Sequence, residues 1–556
     1  MTGSFHWIDW AILIAYVFGT SWLAERLAGK GQTIRDFFLG GRSLPWWAVC
    51  GSIVAGEVSG VTFVSIPAIA WAEKGDFTYL QIWMGYMLAR VGIGLFLIPA
   101  YYRREIYSPY EFMGQQLGPL VNRMGAVLFL VGALLAQGAR LFLAALVLDA
   151  ITDLGIIPAI LLMAAISVVW TWLGGMTSVI WTDVVQFVLL VVGGIAGLVA
   201  VAWAVPGGFG AILDAGREAG KFRLWDFSTD PGKEFTFWCG LIGSAFFTFA
   251  SHGTDQNMAQ RLFCCRSEGE ARKAIIGSCI AVLLPVLMLF VGAGLWVYFR
   301  HFPMTPEELA KVTPPTGRSD YVFPVFILRA MPVGVKGLLF AAIFSAATMT
   351  STLAAMAQTG LASFWLPLQR GPVDEKRQVF ISRIFVLLSA AGLSAVAIAY
   401  IEFRQYPDLL RLALAMAGYT YGALLGMLLL ALLPFGRDDR GLMWGVPYAM
   451  LAVLALNWQH VEWVRWAIAG SVGALAAWGV VRLVREPARI GWVLAGAAVV
   501  LGIAFLRPMT GADGAPAFLK LAFPWHVPIG AAITLAMGVA LGRRRPGGEG
   551  TQPEKH

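Results

Sequence analysis

Three ionisable side chains, Glu57, Arg140 and Asp183, sit inside long apolar stretches of this 556-residue chain. A charge at bilayer depth is costly and usually marks a pathway. Glu57 lies in Ala55-Gly56-Glu57-Val58-Ser59-Gly60-Val61-Thr62. Glycines let a helix unwind and free backbone carbonyls that can ligate a cation, and the carboxylate adds negative charge. The plainer reading is that Gly56 and Gly60 permit close helix packing while Glu57 pairs with a buried arginine. Arg140, in Gln137-Gly138-Ala139-Arg140-Leu141-Phe142, requires an anion. Its fork suits a solute carboxylate, and an ion pair with Glu57 or Asp149 is the alternative. Asp183 follows the turn Gly174-Gly175 by about two helical turns, as a pathway carboxylate or as a helix-start acid favoured by the dipole. The stretch Ser345 to Thr352 carries five hydroxyls in eight residues. Hydroxyls are hard ligands for sodium, but they also bond to their own i−4 carbonyls. Gln81, near the start of another apolar block, is placed for a hydrogen bond to a solute. Two polar clusters have no sharp reading alone: Ser251–Gln256 ends the seventh block, and Gly418–Gly422 interrupts the eleventh.

The elements that must position these groups are membrane helices. The chain is 58% hydrophobic and 13% charged, with mean hydropathy +0.70. A soluble chain would carry about a quarter charged residues. The apolar residues fall in about fifteen blocks of membrane-spanning length. Basic residues cluster in alternate connections, including Arg26–Arg42, Arg103/Arg104, Arg261–Lys273, Arg370–Arg383 and Arg482–Arg489. The positive-inside rule then places the N-terminus outside and the C-terminus, with Arg543-Arg544-Arg545, in the cytoplasm of an inner (cell) membrane. The same clustering explains the net charge of +8 without a nucleic-acid partner. No nucleophile–base pair, metal cluster or cofactor motif is visible, which argues against an enzyme. The five cysteines are expected to be free thiols. The apolar run Ile8–Leu23 lacks a basic leader and reads as a helix rather than a signal peptide.

The segment Asp36-Phe37-Phe38-Leu39-Gly40-Gly41-Arg42-Ser43-Leu44-Pro45-Trp46-Trp47 resembles the sodium:solute symporter family. So do Gly174-Gly175-Met176 with Trp181-Thr182-Asp183, Gly253-Thr254-Asp255-Gln256 with Gln260-Arg261, and Gly418-Tyr419-Thr420-Tyr421-Gly422. Each motif is weak alone; four in order, from about residue 35 to 435, are specific. The resemblance implies an all-α polytopic membrane protein with a five-plus-five inverted-repeat fold, broken helices and about 13–15 transmembrane helices. Residues 1–44 would form an extra helix and cytoplasmic loop, 45–205 and 206–434 the two repeats, 435–545 additional helices and 546–556 a disordered tail.

The implied function is secondary active import of a small organic solute, driven by a sodium gradient. The partners would be that solute, the sodium ion and the lipid bilayer; the oligomeric state is left open. The implied sodium ligands are the carbonyls of Ala55 and Val58 and a hydroxyl pair that falls on Met349 and Thr350, with Ser351 available on a shifted register. Met349 departs from the family pattern, since a thioether is not a hard oxygen donor. Glu57 matches a proline-symporter carboxylate, and Asp183 one linked to a second ion site or to gating. Ser59, Gly60 and Thr62 match solute-facing positions, and Arg140 lies on the helix that holds the carboxylate in sialic-acid symporters. Val61 and Thr62 stand where sugar symporters carry a Glu-Gln pair, which favours a carboxylate-bearing solute. Proton coupling, a sugar substrate, and an uncoupled sensor or channel on the same scaffold are the alternatives.

Overall fold

The computed structural model describes residues 5–27, 38–58, 60–104, 106–152, 154–313, 318–345, 349–371, 373–402, 409–435, 437–507, 509–510 and 516–543. Ser59, the hydroxyl of Thr348 and the tail 546–556 lie outside them. Among these residues the chain is helical apart from one short pairing of Met509–Thr510 with Pro516–Ala517. Eleven helices are long and apolar enough to cross a membrane, and one bent pair makes a twelfth. The other expected spans fall on shorter apolar helices, Trp7–Leu23 and Ile156–Trp172, and on the broken run ending in Ser244–Gly253.

The helices that build the site are α1 (Trp46–Glu57), α2 (Gly60–Trp71), α3 (Thr78–Tyr102), α4 (Pro119–Thr152) and α5 (Gly175–Ala204). After an outer connection come α6 (Ser244–Gly253), α7 (Gln256–Phe263), α8 (Glu268–His301), α9 (Val335–Ser345), α10 (Thr350–Gly360), α11 (Glu375–Glu402) and α12 (Leu409–Leu432). Helices α1 and α2 meet at 55°, after Val58 leaves helical geometry at φ −78°, ψ 85°. Helices α6 and α7 are parted at Thr254–Asp255, where extended Asp255 caps α7 by accepting the Asn257 N–H at 2.8 Å. Helix α10 begins after Met349, whose φ −106°, ψ 21° lies outside helical geometry.

Glycine does specific work at two points. Gly175, at φ +58°, makes the reversal into α5 in a conformation costly for other residues. Gly85 of α3 lies against α6 and the turn before it so closely that a Cβ would stand 2.3 Å from the Gly240 carbonyl. Here the small residue lets two backbones touch. The expected interruption at Gly418–Gly422 is not observed: α12 runs unbroken through it, because neither glycine leaves helical geometry and the cluster packs within the bundle.

Candidate functional site

The open C-terminal end of α1 is the centre of the site. Its last carbonyls have no helical partner, and an unsatisfied carbonyl away from water is costly. Arg140, on α4, supplies the donors: Nη1 reaches the Gly56 carbonyl at 2.7 Å and Nη2 that of Glu57 at 3.3 Å. A guanidinium has five N–H groups. Two spent on carbonyls leave others for an anion.

The Glu57 carboxylate turns away and pairs with Arg90 of α3. Arg90 is fully buried, donates also to the Ser278 carbonyl, and lies 5.6 Å from the Trp83 ring centroid. A buried arginine thus matches the charge of Glu57, which also lines the cavity described next. Arg90 had a signal in the sequence, an isolated arginine in an apolar block.

Beside the break lies a cavity of about 110 Å³. Val58, Thr62 and Arg140 line it, as do Asp255, Asn257 and Tyr421 from the second broken helix and α12. Tyr421 donates to Asp255 Oδ2 at 2.7 Å, so that carboxylate is occupied by α12 and by the α7 cap. Four buried polar atoms of lining residues have no protein partner: Trp83 Nε1, Gln137 Oε1, Thr248 Oγ1 and His252 Nε2. The other ring nitrogen of His252 faces Ser251 Oγ at 2.9 Å. Buried polar groups are normally satisfied, so four unpartnered atoms on residues lining one cavity make it a candidate place for a polar ligand.

A second cluster lies on the other side of α1. Arg261 of α7 is fully buried, although its sequence position is in a basic segment expected in the cytoplasm. Its Nη2 donates to Asp183 Oδ2 of α5 at 3.1 Å and to Ser351 Oγ of α10 at 2.8 Å. Its Nε donates to Ser52 Oγ at 2.9 Å, and Ser52 donates to Asp183 Oδ2 at 2.5 Å. Ser52 and Gly56, one turn apart on α1, both meet this guanidinium.

The structure thus brings Asp183 and Ser351 together with Ser52 around a positive charge, while Glu57 is held elsewhere by Arg90. Ala55 and Val58 stand at the open end of α1, and Thr350 begins α10 with its carbonyl accepting from Thr171 Oγ1 at 3.2 Å. Met349 is buried at the head of α10, its N–H donated to Ser167 Oγ at 3.1 Å. Gly60 opens α2. Gln81 is not at the cavity. Its side chain is tied to the outer connection, donating to the Phe235 carbonyl at 2.9 Å and accepting the Asp226 N–H at 3.1 Å. Asp149 does not pair with Arg140; it accepts the Gly155 N–H at 2.7 Å. Trp83, Gln137 and Thr248 were not singled out, and His252 only as part of the Ser251–Gln256 cluster, because isolated polar residues spread over three helices have no periodic signature. Among the described residues no three His, Cys, Asp or Glu side chains converge as a metal site, and the five cysteines are free.

Residues 37–448 match the model of the sodium:solute symporter family. The sodium/sialic acid symporter SiaT of Proteus mirabilis is 24% identical over 496 residues, 87% of this chain and 97% of that one. Human sodium-coupled monocarboxylate transporter 1 is 29% identical over 416 residues, 74% of this chain and 66% of that longer protein. The solved outward-open, substrate-bound structure of a Na+-coupled sialic acid symporter superposes with a TM-score of 0.74 at 20% identity, covering 97% of this chain and 99% of that one.

Proposed function

The chain belongs to the sodium:solute symporter family, and on that footing we propose that it imports a small carboxylate together with a cation by alternating access. The observation that carries this reading is the cavity beside the broken α1/α2 pair, lined by Arg140 and by four residues that each hold an unpartnered buried polar atom. Glu57 is already neutralised by Arg90, so the cation that Arg140 presents to the cavity remains available to a solute anion. Trp83 Nε1 and Thr248 Oγ1 add donors, and Gln137 Oε1 accepts a hydroxyl from the solute.

Cavity size narrows the class. At about 110 Å³ it is smaller than the ~150 Å³ cavity that accommodates a benzene-sized ligand. That suits a short-chain hydroxy- or oxo-monocarboxylate better than a bulky sugar acid. The two relatives above are named for carboxylates of both sizes, sialic acid and monocarboxylates.

Sodium is the coupling ion in this reading, with Ala55 and Val58 carbonyls and the Thr350 and Ser351 hydroxyls as oxygen donors and Asp183 as the balancing charge. Ser59, Gly60 and Thr62 form the solute-facing turn of the first broken helix. The basic connections support a cytoplasmic membrane with the N-terminus outside and the C-terminus inside. One sodium entering with one carboxylate moves no net charge, so the membrane potential contributes only through each sodium beyond the first, where 100 mV releases about 2.3 kcal/mol, more than a tenfold solute gradient costs at about 1.4 kcal/mol.

The test is uptake of labelled carboxylates and sugars into proteoliposomes under separate sodium and proton gradients. Sodium-driven uptake of a short carboxylate, lost in Arg140→Gln, is the expected result. Uptake driven only by protons would reassign the ion, and uptake of a neutral sugar alone would overturn the role of Arg140.

A further inference from the structure

The Arg261 guanidinium occupies the point where several candidate ion ligands meet. It lies flat against Gly56, so that a Cβ there would stand 2.6 Å from Nη2 and 2.8 Å from Cζ. It contacts Asp183, Ser351 and Ser52 by hydrogen bonds of 2.8–3.1 Å. Asp183 and Ser351 are oxygen donors that a coupling cation needs, and each already faces a positive charge. The remaining nitrogen, Nη1, turns back to its own helix. It donates to the carbonyl and the side-chain oxygen of Asn257 at 2.7 and 3.0 Å and touches Met258 Sδ at 3.6 Å.

Resting on the cation-coupled reading above, we propose that Arg261 is a tethered cation that fills the ion site of the unloaded carrier, and that the coupling ion binds by displacing its guanidinium from Asp183 and Ser351. The reason is charge balance. Asp183 is the carboxylate paired with Arg261, and both are buried with Ser52, while Ser351 beside them is half-buried. A second cation beside an undisplaced guanidinium leaves an uncompensated charge next to a buried ion pair. An empty site without Arg261 leaves Asp183 as the uncompensated charge. Exchange of one cation for the other keeps the site neutral in both states.

The same contacts link ion and solute. Asn257 and Met258 line the solute cavity, and both are held by Arg261. A guanidinium that leaves Asp183 also changes its hold on Asn257, so ion binding on one face of α7 alters the cavity wall on the other. Gly56 is required for this device, because any side chain there occupies the space of the guanidinium.

The test reads ion binding without transport. The sodium concentration that gives half of the maximal rise in unfolding temperature is measured for the purified full chain in lipid nanodiscs, with choline holding ionic strength constant. Arg261→Gln is expected to lower that concentration by about tenfold or more, because Asp183 is released, with Arg261→Lys in between. Free guanidinium ion at sub-denaturing concentration is expected to compete with sodium in Arg261→Gln and not in the unaltered chain. A folded Arg261→Gln protein that binds sodium equally or more weakly overturns the proposal and leaves cation coupling intact. If that variant cannot be purified, an unchanged half-saturation in Arg261→Lys overturns it. A sodium response absent from the unaltered chain and from every variant overturns the sodium-coupled reading itself, whereas a response that appears only without Arg261 supports the exchange.

Discussion

Arg140 Nη1 lies 2.7 Å from the Gly56 carbonyl, so a side chain of α4 closes the open end of α1. One guanidinium thereby holds the break in shape and faces the solute cavity. Arg140→Lys keeps the charge but loses the planar fork. It is expected to raise the KM for a carboxylate by about tenfold or more, a loss of one good charge-assisted contact. Arg140→Gln is expected to abolish uptake and to destabilise the fold by about 1–3 kcal/mol, through carbonyls left short of donors. Uptake kinetics and thermal unfolding of the same preparations separate the two effects.

The Glu57–Arg90 pair gives a different signature. Glu57→Gln leaves a fully buried guanidinium without its counter-charge, at an expected cost of about 3–5 kcal/mol. Glu57→Gln combined with Arg90→Met is expected to recover much of that stability. A Glu57→Gln protein of ordinary stability with a strongly raised sodium requirement would instead identify Glu57 as an ion ligand.

Gln137 Oε1 is a buried acceptor at the cavity without a partner. A solute hydroxyl would satisfy it. Gln137→Leu is expected to weaken uptake of a hydroxy-carboxylate by about tenfold while sparing its deoxy counterpart, since an unmet buried polar group costs about 1–3 kcal/mol. Competition between the two solutes for uptake reads the ratio directly.

Lys221, in the outer connection, caps the far end of α2. Its Nζ donates to the carbonyls of Ala70 and Glu73 at 3.1 Å and to that of Ala72, and lies 4.8 Å from the Trp296 ring centroid. Burial pushes its pKa down from 10.5 to about 8. With the folded value below the unfolded one, folding releases a proton. The contribution of this group to stability is therefore lowest below pH 8 and rises from about pH 8 toward 10.5. Lys221→Met keeps the aliphatic stem and is expected to remove that rising component from the unfolding temperature measured across this window.

The helices and the first break were legible in the sequence because their causes are local, whereas the interruption expected at Gly418–Gly422 is absent and the one at Thr254–Asp255 had no sharp reading. Apolar blocks set the spans, Gly56 and Gly60 flank the break after α1, and Gly175 takes the positive φ of the turn into α5. Arg140 and Asp183 could be picked out because a charge in an apolar block is conspicuous wherever it pairs. The pairing itself was not legible. Glu57, Arg90, Arg140, Asp183, Asp255 and Arg261 are six charges inside the bundle, four buried and two half-buried, on five different helical elements, and neither spacing nor type says which meets which. Gln81 looked equally fit for a solute, yet the outer connection took both ends of its amide. Which helix faces which is decided by packing of whole apolar surfaces, where Gly85 lets α3 and α6 touch and Gly56 admits Arg261. Only once those surfaces are in place does each charge find its nearest opposite, so the sequence determined that a charged pathway exists and the tertiary structure decided that Arg90 takes Glu57, Arg261 takes Asp183 and Arg140 is left to face the cavity.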